Sequence, residues 1–512
     1  MPRQVDYFCS DAIRQDLKGK TVRGGVVSGI GQVIRIAIGL AAVPILTRLL
    51  DPTAFGLLAM VAFFTNFAAM FVDAGMSMAT VQRDQISHRQ VTNLFWLSSA
   101  LGLAIAVVVA ALAPGIAWFY GEPRLTAITC ALALSYLLSG LAVQHQALLR
   151  RAMQFKELAV ANVASMAMAQ VAAVGWAFRF RDTALDYWAL VLIPLVSAAV
   201  RLVLLWWYCA WRPGWPAREA GTGGLVTFGA NLTGFNFVNY FARNLDNLLI
   251  GWWWGGAALG FYDRAYRLMM IPLQQINSPL TGVVVPALSR LAGEPERYRR
   301  AYTWTMERIL LIACPMMAYI GVAAPWVAVV YLGEDFAASG PILQWLSVAA
   351  LWQTLSASVG WLFISQGRDR EMLRWGCIHS LLVAGSFVAG APFGAVGVAK
   401  AYALVFNLAC LPLAFWMIGR SGQVRARDLV NLMWRVAPAP LAVALVTGGV
   451  RLALPQAPPV RLLLISLGCA AVAWAIAVLS TEVGRTAARE LAASLRQTQA
   501  KLRHGIWPGG SR

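Results

Sequence analysis

Four arginines and one aspartate stand where an apolar sequence should have none. Arg35, Arg243, Arg264, Arg267 and Asp246 all fall inside long hydrophobic runs. A charge near the centre of a bilayer costs several kcal/mol, so such residues face a cavity or a partner rather than lipid. A guanidinium presents a rigid fork of donors that matches phosphate or pyrophosphate oxygens, which makes these arginines a candidate anion site.

Their spacing groups them. Asn236, Asn239, Arg243, Asp246 and Asn247 lie in a stripe about 100° wide on one helix, and Arg264, Arg267, Gln274, Gln275 and Ser278 form a second stripe on the next. Asn239 and Gln274 join the four arginines as candidate contacts to a sugar or pyrophosphate head. Asp246 is the candidate carboxylate for a coupling ion. Two blander readings compete: Arg243 and Asp246, three apart, can pair with each other, and Arg264 and Arg267 can snorkel to the outer boundary. Arg35 lies about 11 residues from its cytoplasmic end, roughly 16 Å deep, too far to reach water easily.

The elements that must carry these residues are membrane helices. Of 512 residues 59% are hydrophobic and only 13% charged, too few polar groups to cover a soluble core of this size. About fourteen apolar stretches of roughly 20 residues follow one another, each long enough to cross a bilayer. They occupy 24–50, 54–73, 92–113, 124–144, 158–179, 186–209, 224–251, 256–287, 302–331, 340–366, 371–390, 395–418, 428–450 and 459–481. Backbone amides in hydrocarbon must be satisfied within the element, and these runs are too long and too evenly apolar for barrel strands. The expected fold is all-α and integral to the membrane.

Charge gives the orientation. With the N-terminus in the cytoplasm, 28 of the 42 basic residues fall in cytoplasmic loops and tails, while only Arg48, Arg124, Arg179, Arg181, Arg451 and Arg461 occupy the opposite loops. The positive-inside rule then places both termini in the cytoplasm. The formal net charge of +19 reads as a basic face against anionic headgroups, and no nucleic acid is implied. About 23 mostly polar residues precede the first apolar run, which is not a signal-peptide layout.

Arg201, Arg308 and Arg435 are expected to reach the cytoplasmic headgroups, and Lys400 the outer ones. Trp252, Trp253 and Trp254 suit an interfacial aromatic belt, with a sugar-stacking platform as the sharper alternative. Seven cysteines show neither a disulfide framework nor metal-ligand spacing. No ATP-cradling loop or HExxH motif is present, and the outer loops are too short for a catalytic domain. Neither a cofactor nor an enzymatic reaction is expected.

A weak internal repeat completes the plan. At an offset of 204 residues, Leu46–Leu57 lies over Ile250–Phe261, aligning Ala54 with Ala258 and Gly56 with Gly260. Each stretch holds the turn between the first two spans of a six-span set. The expected organisation is a cytoplasmic tail (1–23), a six-helix bundle (24–209), a cytoplasmic linker (210–223), a second parallel six-helix bundle (224–418), two additional helices (428–481) and a basic tail (482–512). Two bundles around a cavity that opens to alternate sides make a transporter.

Long blocks of the chain carry a family likeness: ILTRLLDPTAFGLLAM (45–60), FVDAGMSMATVQR (71–83), NFVNYFARNLDNLLIG (236–251), GFYDRAYRLMMIPLQQINSPL (260–280) and VVPALSRL (284–291). The chain resembles the Wzx-type polysaccharide flippases of the multidrug/oligosaccharidyl-lipid/polysaccharide exporter superfamily, in the exopolysaccharide and colanic-acid-like branch. The resemblance implies an inner-membrane carrier for undecaprenyl-pyrophosphate-linked oligosaccharide, whose partners include a polysaccharide polymerase and a chain-length regulator. In that family the position of Asp263 usually holds a small polar residue, and the Trp252–Trp254 stretch usually includes a basic one. Three rivals stay open at this point: a multidrug-type antiporter, a membrane polysaccharide polymerase and an uncoupled scramblase.

Overall fold

A computed structural model describes Phe8 and residues 17–73, 75–83, 86–216, 223–481, 484–486 and 489–490; the side chains of 17–18, 20, 22, 79, 82, 223–239, 241–243, 278 and 279 lie outside this description. Among the described residues there are helices and turns and no strands. Among the described residues eleven helices are long and apolar enough to cross a membrane.

The chain forms two compact units, Met1–Asp263 with Tyr331–Asp335, and Arg264–Val330 with Phe336–Arg512. In the first, α1 (Leu17–Leu49), α2 (Pro52–Asp73), α3 (Met76–Gln82), α4 (His88–Tyr120), α5 (Arg124–Arg151), α6 (Phe155–Arg179) and α7 (Trp188–Tyr208) follow in order. Helix α8 (Gly223–Arg290) bends once, at Gly255 (φ 76°, ψ −174°). That backbone conformation is open essentially to glycine alone. Its first arm and the start of its second belong to this unit.

Local signals set several boundaries. Ser87 accepts from the Gln90 amide while the Gln90 side chain accepts from the Ser87 amide, a capping box that starts α4. Gly121 ends the same helix in the left-handed conformation. Helices α4 and α5 then cross at two glycines: a Cβ at Gly102 would lie 2.7 Å from the Tyr136 carbonyl oxygen, and one at Gly140 would lie 2.7 Å from that of Ser98. Small residues permit this approach, which lets dispersion act between helices where lipid removes the hydrophobic drive. At the end of α5, buried Arg151 donates to the carbonyls of Thr80, Arg83 and Phe8, satisfying the exposed end of α3.

The second unit continues with α9 (Pro295–Val327), α10 (Ser339–Ala350), α11 (Gln353–Ser365), α12 (Asp369–Gly390), α13 (Gly394–Val405), α14 (Leu411–Ser421), α15 (Ala426–Val436), α16 (Pro438–Ala453) and α17 (Pro459–Ser480). Buried tyrosines lock α9 to α11: the Tyr302 hydroxyl lies 2.7 Å from Ser358 Oγ, and Tyr298 pairs with Ser365. Two expected spans are each matched by one membrane-length stretch, Ser339–Ser365 and Ala426–Ala453, with a local interruption inside it. The run 340–366 breaks between α10 and α11, and 428–450 breaks at Ala437, because Pro438 and Pro440 cannot continue the hydrogen-bond ladder. Helix α15 buries Leu429, Leu432 and Val436 on one face.

The intramembrane charges expected to snorkel are mostly paired. Arg308 meets Glu490 at 2.8 Å and lies over Trp304, Arg435 meets Glu307 at 3.8 Å, and Lys400 sits over Trp345. Glu490 belongs to the stretch expected as the cytoplasmic tail, so its pairing with Arg308 agrees with that arginine reaching the cytoplasmic side.

Candidate functional site

The arginine expected to be deepest, Arg35, lines a cavity in the first unit. Ser28, Gly31 and Arg35 of α1 share one face, at spacings of three and four. Phe155, Leu158, Ala159 and Asn162 of α6 line the cavity as well, together with the exposed Arg150 of α5. Gly31 makes room for it: a Cβ there would stand 3.2 Å from that of Ala159. Beside Gln32, which accepts from its guanidinium, Arg35 has Arg150 as the second cation of this cavity of about 210 Å³.

Arg201 was expected to snorkel, and the structure overturns that. It turns onto α5 and donates to Gln146, with its Nε buried and unpartnered among the described residues. It stands within electrostatic range of both Arg150 and Arg35.

Sequence reasoning missed Arg150 and Arg201 as members of this group. Hydropathy ends the apolar run at 144, whereas α5 stays helical to Arg151, about 10 Å further at 1.5 Å per residue. The usable signal was the pattern Gln146, Arg150, Arg151 continuing the helical period. It is weak, because charged residues at a span's end usually mark the interface.

Asp246 is 3% exposed. It accepts from the Tyr262 hydroxyl at 2.8 Å and from the Asn247 amide at 2.8 Å. Tyr262 is itself buried in the second arm of α8, so the bend at Gly255 is what brings hydroxyl and carboxyl together. Arg264 is half-buried, while Arg267 and Gln274 are exposed on the second arm; all three belong to the second unit. The side chains of Arg243 and Asn239 lie outside the described residues.

The repeat-related turns meet. A Cβ at Gly56 would lie 1.7 Å from the Gly256 carbonyl oxygen, and one at Gly260 would lie 2.0 Å from that of Pro52. At the 204-residue offset Pro52 corresponds to Gly256 and Gly56 to Gly260. One contact is therefore the other with the repeats exchanged, the reciprocal pattern of a two-fold interface. The break before α2, at Asp51, likewise corresponds to the bend at Gly255. Beside this contact, Trp252 stacks on Phe119 at 6.2 Å, and Trp252, Trp253 and Trp254 are all about half exposed.

These features define a multi-pass helical membrane transporter fold. Over 89% of this chain and 98% of the other, the fold superposes on the lipid II flippase MurJ in an inward closed conformation, with a TM-score of 0.69 and 11% identity. An inward-facing multidrug resistance MATE transporter of the MOP superfamily follows at a TM-score of 0.57 and 14% identity, covering 78% of this chain and 99% of the other.

The chain belongs to the family described as "Polysaccharide biosynthesis protein", whose pattern matches residues 45–341. It is 26% identical over 425 residues to the lipopolysaccharide biosynthesis protein WzxC of Escherichia coli (strain K12), covering 82% of this chain and 85% of that one. It is 25% identical over 405 residues to the succinoglycan biosynthesis transport protein ExoT of Rhizobium meliloti (strain 1021), covering 79% of this chain and 81% of the relative.

Proposed function

We propose that this protein flips an undecaprenyl-pyrophosphate-linked oligosaccharide across the bacterial inner membrane by alternating access, supplying polysaccharide synthesis on the outer face. The observation that carries this reading is Arg35 and Arg150 lining one cavity beside Arg201, in a chain of the polysaccharide biosynthesis family with a flippase fold. Bound cations at membrane depth recognise a lipid-borne diphosphate and leave its polyprenyl tail in the acyl region. The protein forms and breaks no bonds.

In this reading fourteen helices form two six-helix bundles (24–209 and 224–418) and a final pair (428–481), with both termini cytoplasmic. Arg35, Arg243, Arg264, Arg267, Asn239 and Gln274 contact the pyrophosphate and its first sugar. The matched turns at Pro52–Gly56 and Gly256–Gly260 close the outer side, and they part when the carrier opens outward. Asp246 carries the coupling proton or sodium ion, and Tyr262 senses its charge through their hydrogen bond. A polymerase and a chain-length regulator receive the product.

The test is complementation of a strain lacking the gene. Arg35→Ala and Arg267→Ala, inserted at normal levels, are expected to abolish polysaccharide export and leave lipid-linked repeat units in the inner leaflet. Full export by both variants overturns the anion site. The likeness to a multidrug transporter concerns fold, and a drug-efflux role predicts that the deletion strain becomes drug-sensitive. The flippase reading predicts unchanged drug tolerance.

A further inference from the structure

Two loops of the first unit repeat a short motif. Helix α4 ends in Tyr120-Gly121-Glu122, and the chain after α9 runs Tyr331-Leu332-Gly333-Glu334. Both glycines have positive φ, 66° at Gly121 and 108° at Gly333. The second copy is one residue longer, and the π-helical turn Ala328–Leu332, which spends one more residue per hydrogen bond than an α-turn, takes up the difference. Tyr331–Asp335 belong to the first unit, as do α1 and the first arm of α8.

Each loop sits against a helix, and the two seats correspond. A Cβ at Gly251 in α8 would stand 3.0 Å from Tyr120 Cε1, and Trp252 stacks on Phe119. A Cβ at Gly333 would stand 3.6 Å from Arg48 Cγ and 4.0 Å from the Thr47 carbonyl oxygen of α1. At the 204-residue offset Thr47 corresponds to Gly251 and Arg48 to Trp252. The α4–α5 loop therefore meets in α8 the positions that loop 331–335 meets in α1, a reciprocal clasp additional to the turns at Gly56 and Gly256.

The two tyrosines differ in what their hydroxyls find. Tyr331 donates to the Leu40 carbonyl at 2.9 Å. That carbonyl would ordinarily accept from residue 44, four further along the helix, and Pro44 has no N–H to give. Leu40 lies nine residues, about 14 Å, in from the end of α1 at Leu49, a depth at which hydrocarbon offers no substitute donor. The corresponding residues in α8 are Asn244 and Leu248. Leu248 keeps its N–H, so the Asn244 carbonyl is served within its own helix, and the buried Tyr120 hydroxyl has no partner among the described residues. A proline in one repeat and a leucine in the other thus decide which tyrosine is bonded.

We infer that Tyr331 is the lock of this clasp: its hydroxyl, seated on the carbonyl that Pro44 leaves without a donor, holds loop 331–335 on α1 while the outer side is closed. Tyr120 packs in the matching seat and adds no hydrogen bond. On the flippase reading, on which its part in transport rests, the clasp opens before the carrier faces outward. The lock itself does not depend on that reading.

The test is the labelling rate of Thr47→Cys by a water-soluble maleimide, in the full chain purified in detergent without its native cysteines. Thr47 is 1% exposed and lies at the contact of the loop with α1, so labelling requires the loop to lift. Tyr331→Phe removes the hydroxyl and keeps the ring. It is expected to label about 2- to 12-fold faster than the Thr47→Cys parent, the range that one lost hydrogen bond gives. Tyr120→Phe removes the unbonded hydroxyl and is expected to keep the parent rate. Pro44→Ala returns an N–H to the Leu40 carbonyl; it is expected to label as fast as Tyr331→Phe and to gain little when that substitution is added. A tyrosine that only packs its ring would respond to neither loss of a hydroxyl.

Labelling of Tyr331→Phe at the parent rate, or an equal rise in Tyr120→Phe, overturns the lock. If Tyr331→Phe fails to fold, an unchanged rate in Pro44→Ala does so instead. Export separates the two readings: a wild-type chain that restores no export in the deletion strain, with labelling as expected, sinks the flippase function and keeps the lock. Restored export with Tyr331→Phe labelling at the parent rate does the reverse.

Discussion

Replacing Gly56 by alanine tests whether the matched turns act as a closure. The added Cβ would stand 1.7 Å from the Gly256 carbonyl oxygen, where ordinary contact begins at 3.4 Å. The two backbones must therefore part by about 1.7 Å, and no side-chain rotation can absorb it. Overpacking of this kind costs roughly 1–3 kcal/mol, which exceeds the gain of about 1 kcal/mol that alanine brings to an open helical site. The clash exists only while the turns touch, so the cost falls on the closed state alone and lowers its population roughly 5- to 150-fold relative to the open one. Gly260→Ala meets the Pro52 carbonyl at 2.0 Å and is expected to act likewise. Once one substitution has separated the turns the second has little left to break, so the double variant costs less than the sum. The assay is labelling of Thr53→Cys, in a background without the native cysteines, by a membrane-impermeant maleimide added outside. Labelling rises in Gly56→Ala and Gly260→Ala. In Gly175→Ala, where an added Cβ meets nothing within 4 Å, it stays at the starting level. Equal labelling in all four proteins refutes the closure.

Three further outcomes are expected. Asp246→Asn keeps an acceptor for Tyr262 and removes the charge; flipping in inverted vesicles should lose its dependence on an imposed proton or sodium gradient, a change of roughly tenfold on the scale of typical coupling energies, and undiminished gradient dependence removes Asp246 from the mechanism. Gly102→Leu forces α4 away from α5 at the Tyr136 carbonyl and should lower stability by about 1–3 kcal/mol, read as a lower thermal unfolding midpoint in detergent, whereas Gly115→Leu, in open space, leaves that midpoint in place. Glu122 lies in the loop before α5, where its hydrogen bond from Arg124 holds the carboxyl below its ordinary value. Its contribution is present above that ordinary value and is lost as pH falls through the lowered one, so Glu122→Gln should flatten the acid side of the stability profile; an unchanged profile shows the pair contributes nothing.

Much of this protein is legible from composition. Hydrocarbon admits only helices and closed barrels, and runs such as 124–144 and 459–481 are too long and too evenly apolar for barrel strands, so they declare helices without any knowledge of their neighbours. The repeat signal at Gly56 and Gly260 is also in the sequence, although two glycines at an offset of 204 do not say that they approach different atoms of each other's turn. That needed the bend at Gly255, which a Gly-only backbone angle sets and which an apolar run hides. Boundaries were less legible where helices outlast their apolar stretch, as α5 does to Arg151, because hydropathy reports the contact with lipid and not the hydrogen-bond ladder.

The division is clearest among the charges. Sequence alone marked Arg35 and Asp246 as out of place in hydrocarbon, since the cost of burying charge follows from residue type and depth. Whether each is paired, orphaned or gathered with its like depends on distances between helices far apart in the chain. Only tertiary packing gave Arg308 an acid, gave Asp246 the hydroxyl of Tyr262, turned Arg201 onto Gln146, and placed Arg35 and Arg150 along one cavity whose lining among the described residues holds no acid.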